Sequence, residues 1–263
     1  MTTPPAPGGG LSLGRKIAFG LPELMIGLSF IAINSWLLYF FVNIAQLPPL
    51  LAGIAFLAGR LFDAVLDPVV GRWSDRVRHA VGRMPATKWA LLPAALSYVA
   101  IWALPALVEG TLAKFVLATS GFMTFSLFLT LISIPRLALV PDLEPSYHGR
   151  TKLTSVIFMA NFLAVLVAIA LTPALVLGFG QATDLAASPA SAWVMVAAVF
   201  AVVGVLSFIP FFLAIPDAKT GVDSAPAAPF RAEVRTLFQT PGYGRILRIL
   251  LLTVLGVLTV QSM

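Results

Sequence analysis

The sequence predicts an all-α protein that crosses a membrane several times, and three observations carry that prediction. Apolar residues fill 59% of the 263 positions, charged residues only 11%, and the mean hydropathy is +0.96; a soluble domain carries about 25% charge. The apolar residues fall in runs of roughly eighteen or more, enough to cross a hydrocarbon core of about 30 Å at about 1.5 Å per residue. The 17 Lys and Arg gather between those runs. The net charge of +6 therefore reads as a topology signal rather than a nucleic-acid-binding stripe, so the lipid bilayer is the expected surrounding and no nucleic-acid partner is expected. The chain has no cysteine, which excludes disulfides, thiolate metal sites and thiol nucleophiles.

Residues 1–15 are rich in Pro, Gly and Thr and read as a disordered cytoplasmic tail, with Arg15-Lys16 as a positive anchor ahead of the first span. The apolar run that follows is too long for a secretory leader. Six spans are expected, at 16–42, 48–70, 89–107, 112–140, 154–179 and 191–215, together a transmembrane bundle over 16–215. Prolines 22, 93, 135, 173 and 210 lie in or near them, which membrane helices tolerate because neighbours re-satisfy the freed carbonyls. Residues 216–244 read as a cytoplasmic linker with a short interfacial helix at 230–238, and 245–263 as the start of a seventh span that stops short. Fourteen of the Lys and Arg lie in the tail or in 71–88, 141–153 and 216–248, while Lys114 alone falls on the other side. This bias predicts a multi-pass protein of the inner (plasma) membrane with a cytoplasmic N-terminus.

Residues 59–68 hold Arg60, Asp63 and Asp67 inside an otherwise apolar span. At these spacings the three charges share one helix face, with the two carboxylates one turn apart, about 6 Å between Cβ atoms. Each charge costs about 2.5–3.5 kcal/mol at the membrane centre, so such groups mark an ion or substrate path by default. The competing reading has Arg60 merely neutralising the aspartates to staple the bundle. By helical rise, Asp67 lies about 8 Å and Asp63 about 14 Å inward from Arg72, and Glu23 about 10 Å inward from Lys16. One shared site between spans 1, 2 and 4 is therefore expected, with Thr130 and Ser133 at its height. Two carboxylates and a hydroxyl suit a hard cation such as Na+, and a desolvated aspartate is equally able to carry H+. Glu23 also reads as a first-turn acid near a helix N-terminus. Arg136 reads either as an anchor for an anionic solute or as a side chain snorkelling to headgroups about 7 Å away. After span 2, Gly71, Asp75, Arg76, Gly82 and Arg83 read as a tight cytoplasmic loop in which Asp75 pairs with an arginine or a helix end, or as a plain positive loop.

Gly71-x-x-x-Asp75-Arg76 with Gly82-Arg83 resembles the loop signature of the major facilitator superfamily. The run Arg60-Leu-Phe-Asp63-Ala-Val-Leu-Asp67-Pro68-Val-Val-Gly71 resembles more narrowly the glycoside-pentoside-hexuronide:cation symporter (melibiose permease-like) family. Leu37-Leu-Tyr-Phe-Phe, Ile134-Pro135 through Pro141, and Arg150 fit the same pattern, so the likeness covers nearly all of spans 1 to 5. It implies the six-helix N-terminal half of a major facilitator fold plus the start of a seventh helix. It also implies cation-binding positions at Asp63, Asp67 and Thr130, and substrate-binding positions at Ser133 and, with a shift of a few residues, Glu23; Arg136 joins them as a candidate substrate residue from its own charge, not from the resemblance. Leu66 replaces the family's amide, which leaves Na+ and H+ both open as the coupling ion. Ser133, Leu137 and Phe158 replace the family's sugar-binding acid, aromatic and arginine, so the usual sugar site is largely absent.

Two functional classes follow. The chain is a cation-coupled symporter of a sugar-like or other small organic solute, working by alternating access. Alternatively it is an isolated N-terminal half, inactive alone or dependent on a separate C-terminal half. No enzyme and no cofactor are expected: the sequence has no HExxH and no Gly-x-Ser-x-Gly, and its two histidines, His79 and His148, lie in expected loops.

Overall fold

A computed structural model describes residues 10–77 and 82–215, together with 242–245, 248, 249 and 252. Residues 1–220 form one compact unit and 221–263 a second. In the first unit the helices are α1 (Leu13–Gly20), α2 (Glu23–Ala32), α3 (Pro49–Val77), α4 (Met84–Leu107), α5 (Thr111–Leu137), α6 (Val140–Leu143), α7 (Tyr147–Gly180) and α8 (Ala190–Ala214). Among the described residues, six helical stretches are long and apolar enough to cross a membrane. All of the expected linker 216–244 except 242–244, its short helix and most of the seventh span lie outside the described residues.

The first span is not one regular helix. Pro22 lacks an N–H and separates α1 from α2, and after Ala32 the chain passes through two π-helical turns, Ile33–Leu37 and Phe40–Ile44. The expected disordered tail ends earlier than residue 15, because α1 begins at Leu13 and the Leu11 N–H donates to Glu144 Oε1 at 2.8 Å. The second span also outruns its expected end at residue 70. The helix α3 continues to Val77, so Gly71, Asp75 and Arg76 stand on its last two turns rather than in a loop. Charge marks where a helix leaves the hydrocarbon, not where its hydrogen bonding stops. Gly82, two residues ahead of α4, has a φ of +87° that only glycine adopts without strain.

In the bundle, α5 packs between α3 and α4, α4 also packs on α8, and α2 packs mainly on α7 and α8. Without a hydrophobic drive between lipid-facing helices, close approach needs small residues. Gly27 meets this need: a Cβ there would sit 2.6 Å from Ala164 Cβ on α7. At one end of the bundle Trp36, Tyr39, Phe40, Trp102 and Trp193 interlock, with Trp102 and Trp193 stacked at 5.9 Å. At that end Lys114 Nζ donates to Ala45 O at 2.7 Å, whereas at the other end Lys16 pairs with Glu144 at 2.9 Å. The first and fourth spans therefore run antiparallel, as the expected topology requires.

Candidate functional site

Several polar clusters lie in this apolar frame among the described residues. The first joins α3 to α5. Thr130 Oγ1 lies 3.4 Å from Asp63 Oδ1 and 3.5 Å from Asp67 Oδ1, so one hydroxyl proton is shared between two carboxylates. A single O–H cannot satisfy both, which leaves most of their lone pairs free for a cation. Asp63 Oδ2 stands 4.0 Å from Arg60 Nη1, and Arg60 Nη2 donates to Asn34 Oδ1 in the first π-helical turn. The guanidinium also faces the rings of Phe30, Phe56 and Phe122 at 5.0, 5.2 and 5.7 Å. Gly59 makes this possible, since a Cβ there would fall into the Phe122 ring.

The second cluster lies where α1 and α2 meet α5 and α7. Arg136 is fully buried; its Nη1 donates to Phe19 O at 2.9 Å and its Nη2 to Glu23 Oε1, while Glu23 Oε2 accepts from Asn161 Nδ2 at 3.0 Å. Two expectations fall here. Arg136 does not snorkel to headgroups, because an internal carboxylate within reach replaces the hydration it would otherwise seek. Nor does Glu23 join the aspartates: among the described residues no third carboxylate or histidine gathers with Asp63 and Asp67. Equal depth in the membrane does not fix which way a helix turns its face, and the α2 acid turns toward α5 and α7.

Beside this ion pair is a cavity of about 460 Å³, walled by Leu137, Val140, Ile157 and Phe158, with Glu23, Asn161 and Thr154 as its polar side. Arg136 does not line it. Ser133 does not line it either, and its hydroxyl donates to Leu129 O at 2.9 Å on its own helix. A larger groove of about 620 Å³ shares Thr154 and Phe158 and runs on to Arg150 and Tyr147.

The third cluster holds helix ends together. Arg83, almost fully buried, donates to Asp75 Oδ1 at 3.2 Å and sits 3.9 Å from Asp142 on α6. Asp75 therefore pairs with an arginine, as expected, and the link ties the α3–α4 turn to the segment after α5. Arg76 is exposed, and Arg78 and His79 lie outside the described residues.

A sequence profile of the MFS/sugar transport protein family matches residues 18–263. The chain belongs to that family. Several of the chain's relatives are named symporters, and six apolar helices are consistent with the N-terminal half of the family's fold. The chain is 33% identical over 150 residues to an uncharacterized symporter of Synechocystis sp., a match covering 55% of this chain and 28% of the relative. It is 24% identical over 225 residues to the isoprimeverose transporter of Lactiplantibacillus pentosus, covering 85% and 46%. A sodium-dependent lysophosphatidylcholine symporter 1-A of Danio rerio is 30% identical over 149 residues, covering 55% and 27%. The matches cover between 27% and 46% of these relatives' length.

Asn34, Asn161, Asp142 and Glu144 were not singled out by the sequence reading. Two of them carried a usable signal, since Asn34 and Asn161 are amides inside apolar runs, where an unpaired polar group is costly.

Proposed function

We propose that this chain is the N-terminal half of a secondary active symporter, binding a coupling cation at Asp63, Asp67 and Thr130. One observation carries this: two carboxylates one turn apart share a single hydroxyl inside a membrane span, in a chain of a transport family. Na+ and H+ both suit these oxygens. The solute occupies the cavity beside Glu23 and Asn161. Its wall of Leu137, Val140, Ile157 and Phe158 supports a solute with an apolar portion over a simple glycoside, whose hydroxyls would go unpaired there. The relatives' names include both a sugar and a lysolipid, so the family accommodates either chemistry.

Transport needs a second six-helix half, in this or another chain, that rocks against this one. It closes over α3 and α7, of which only 17% and 22% is buried, against 39–61% for the other spans. The Lys and Arg bias supports an inner-membrane protein with its N-terminus in the cytoplasm. Solute uptake by cells expressing both halves tests the symport. Monensin, which collapses a Na+ gradient, or a protonophore is expected to abolish accumulation. Accumulation that survives both would remove the symport reading.

A further inference from the structure

The contact between Arg60 and Asn34 is not needed to keep Arg60 from being a bare charge in the membrane, because Asp63 is already in reach and three rings surround it. Asn34 is nevertheless aimed. Its Nδ2 donates to Phe30 O at 2.7 Å, which fixes the amide and presents Oδ1 to the guanidinium. Arg60 thus has two oxygen partners on different elements, Asn34 on the first span and Asp63 on its own helix at 4.0 Å. Phe30, Phe56 and Phe122 stand 5.0, 5.2 and 5.7 Å from the guanidinium carbon and attract its charge through their ring faces, without the directional demand of a hydrogen bond. The packing makes this contact consequential. The α2 helix rests mainly on α7 and α8, and α3 rests on α5, so Arg60 to Asn34 is a polar strut between the two groups of helices. Its anchor sits in a π-helical turn, a form often found at functional sites.

We propose that Asn34 is a positioning residue that couples occupancy of the cation site to the first span, acting through Arg60. When a cation neutralises Asp63, Arg60 loses its second partner and is committed to Asn34, which draws the first span toward α3. When the cation leaves, the bare carboxylate competes for Arg60 and the strut loosens. The two positions conserve charge: the entering cation takes over the role that Arg60 plays for Asp63. This inference rests on the cation site proposed above, and the test below reads the strut without requiring transport.

The chain contains no cysteine, so spin labels at Leu38→Cys on the first span and Leu57→Cys on α3, both exposed sites, report their separation in the full chain in nanodiscs. Asp63→Asn imitates a neutralised carboxylate for either ion and is expected to favour the shorter distance. Asn34→Leu is expected to favour the longer one. The ratio of the two populations should change by about tenfold in opposite directions, the equilibrium effect of one hydrogen bond to a charged group. In an Arg60→Gln background Asn34→Leu should have no further effect, and Asn34→Asp in the native background should keep the short distance. Distances that ignore Asn34→Leu, or that respond equally with Arg60 removed, would overturn the proposal. Those results would leave the cation site standing, because uptake by the aspartate variants judges that separately.

Discussion

Removing the carboxylate of Glu23 should expose the cost of Arg136. The guanidinium is fully buried, held by Glu23 Oε1 and Phe19 O, and its Nε has no hydrogen-bond partner among the described residues. Glu23→Leu leaves that charge without a counter-ion and strips Asn161 of its acceptor. Breaking a buried pair on one side costs about 3–5 kcal/mol, and the orphaned amide adds about 1 kcal/mol. At about 2–4 °C per kcal/mol for a chain of this size, the apparent melting temperature should fall by the order of 10 °C. Glu23→Leu combined with Arg136→Met removes both charges and should recover most of the loss, since apolar replacement of a buried pair is often neutral. The chain's five tryptophans make intrinsic fluorescence during heating a sufficient assay, and Trp36, Trp102 and Trp193 lie in the packed end cluster. A double variant as unstable as the single one, or a single variant within about 2 °C of the native chain, would refute the buried pair.

Other consequences follow from the same structure. Gly27→Ala forces a Cβ to 2.6 Å from Ala164 and should cost about 1–3 kcal/mol, whereas Gly53→Ala, with nothing within 4 Å, should be silent or slightly stabilising in the same melt. Single cysteines in 82–88 should react with an impermeant reagent from the cytoplasmic side only, and those in 181–189 from the outside only; reversed labelling would invert the proposed orientation. A panel of galactosides, pentosides and hexuronates should bind the two-half protein weakly or not at all by equilibrium dialysis. Millimolar or tighter affinity lost in Ser133→Ala would show that the sugar chemistry survives at that position.

Much of the fold was legible because a membrane restricts the backbone to helices, and length with hydropathy then locates them. The ends were less so. The helix α3 runs to Val77 through Arg72, Asp75 and Arg76, residues that read as a loop because they are charged. The contact of Asp63 and Asp67 with Thr130 was legible because the two aspartates are local to one helix and charged in an apolar run, and helical rise puts Thr130 at their depth. The Glu23–Arg136 pair was not, since its partners stand 113 positions apart and nothing in spacing links them. Asn34 was missed for a related reason: an amide carries no charge to draw notice, and its role depends on an arginine 26 positions away.

The central claim is that Asp63 and Asp67 hold the coupling ion, and accumulation against a gradient tests it most directly. Uptake should be compared in cells expressing both halves with native, Asp63→Asn or Asp67→Asn sequence at matched membrane abundance. Either substitution is predicted to abolish cation-driven accumulation while insertion and expression stay near normal. Accumulation that persists in both variants would contradict the claim.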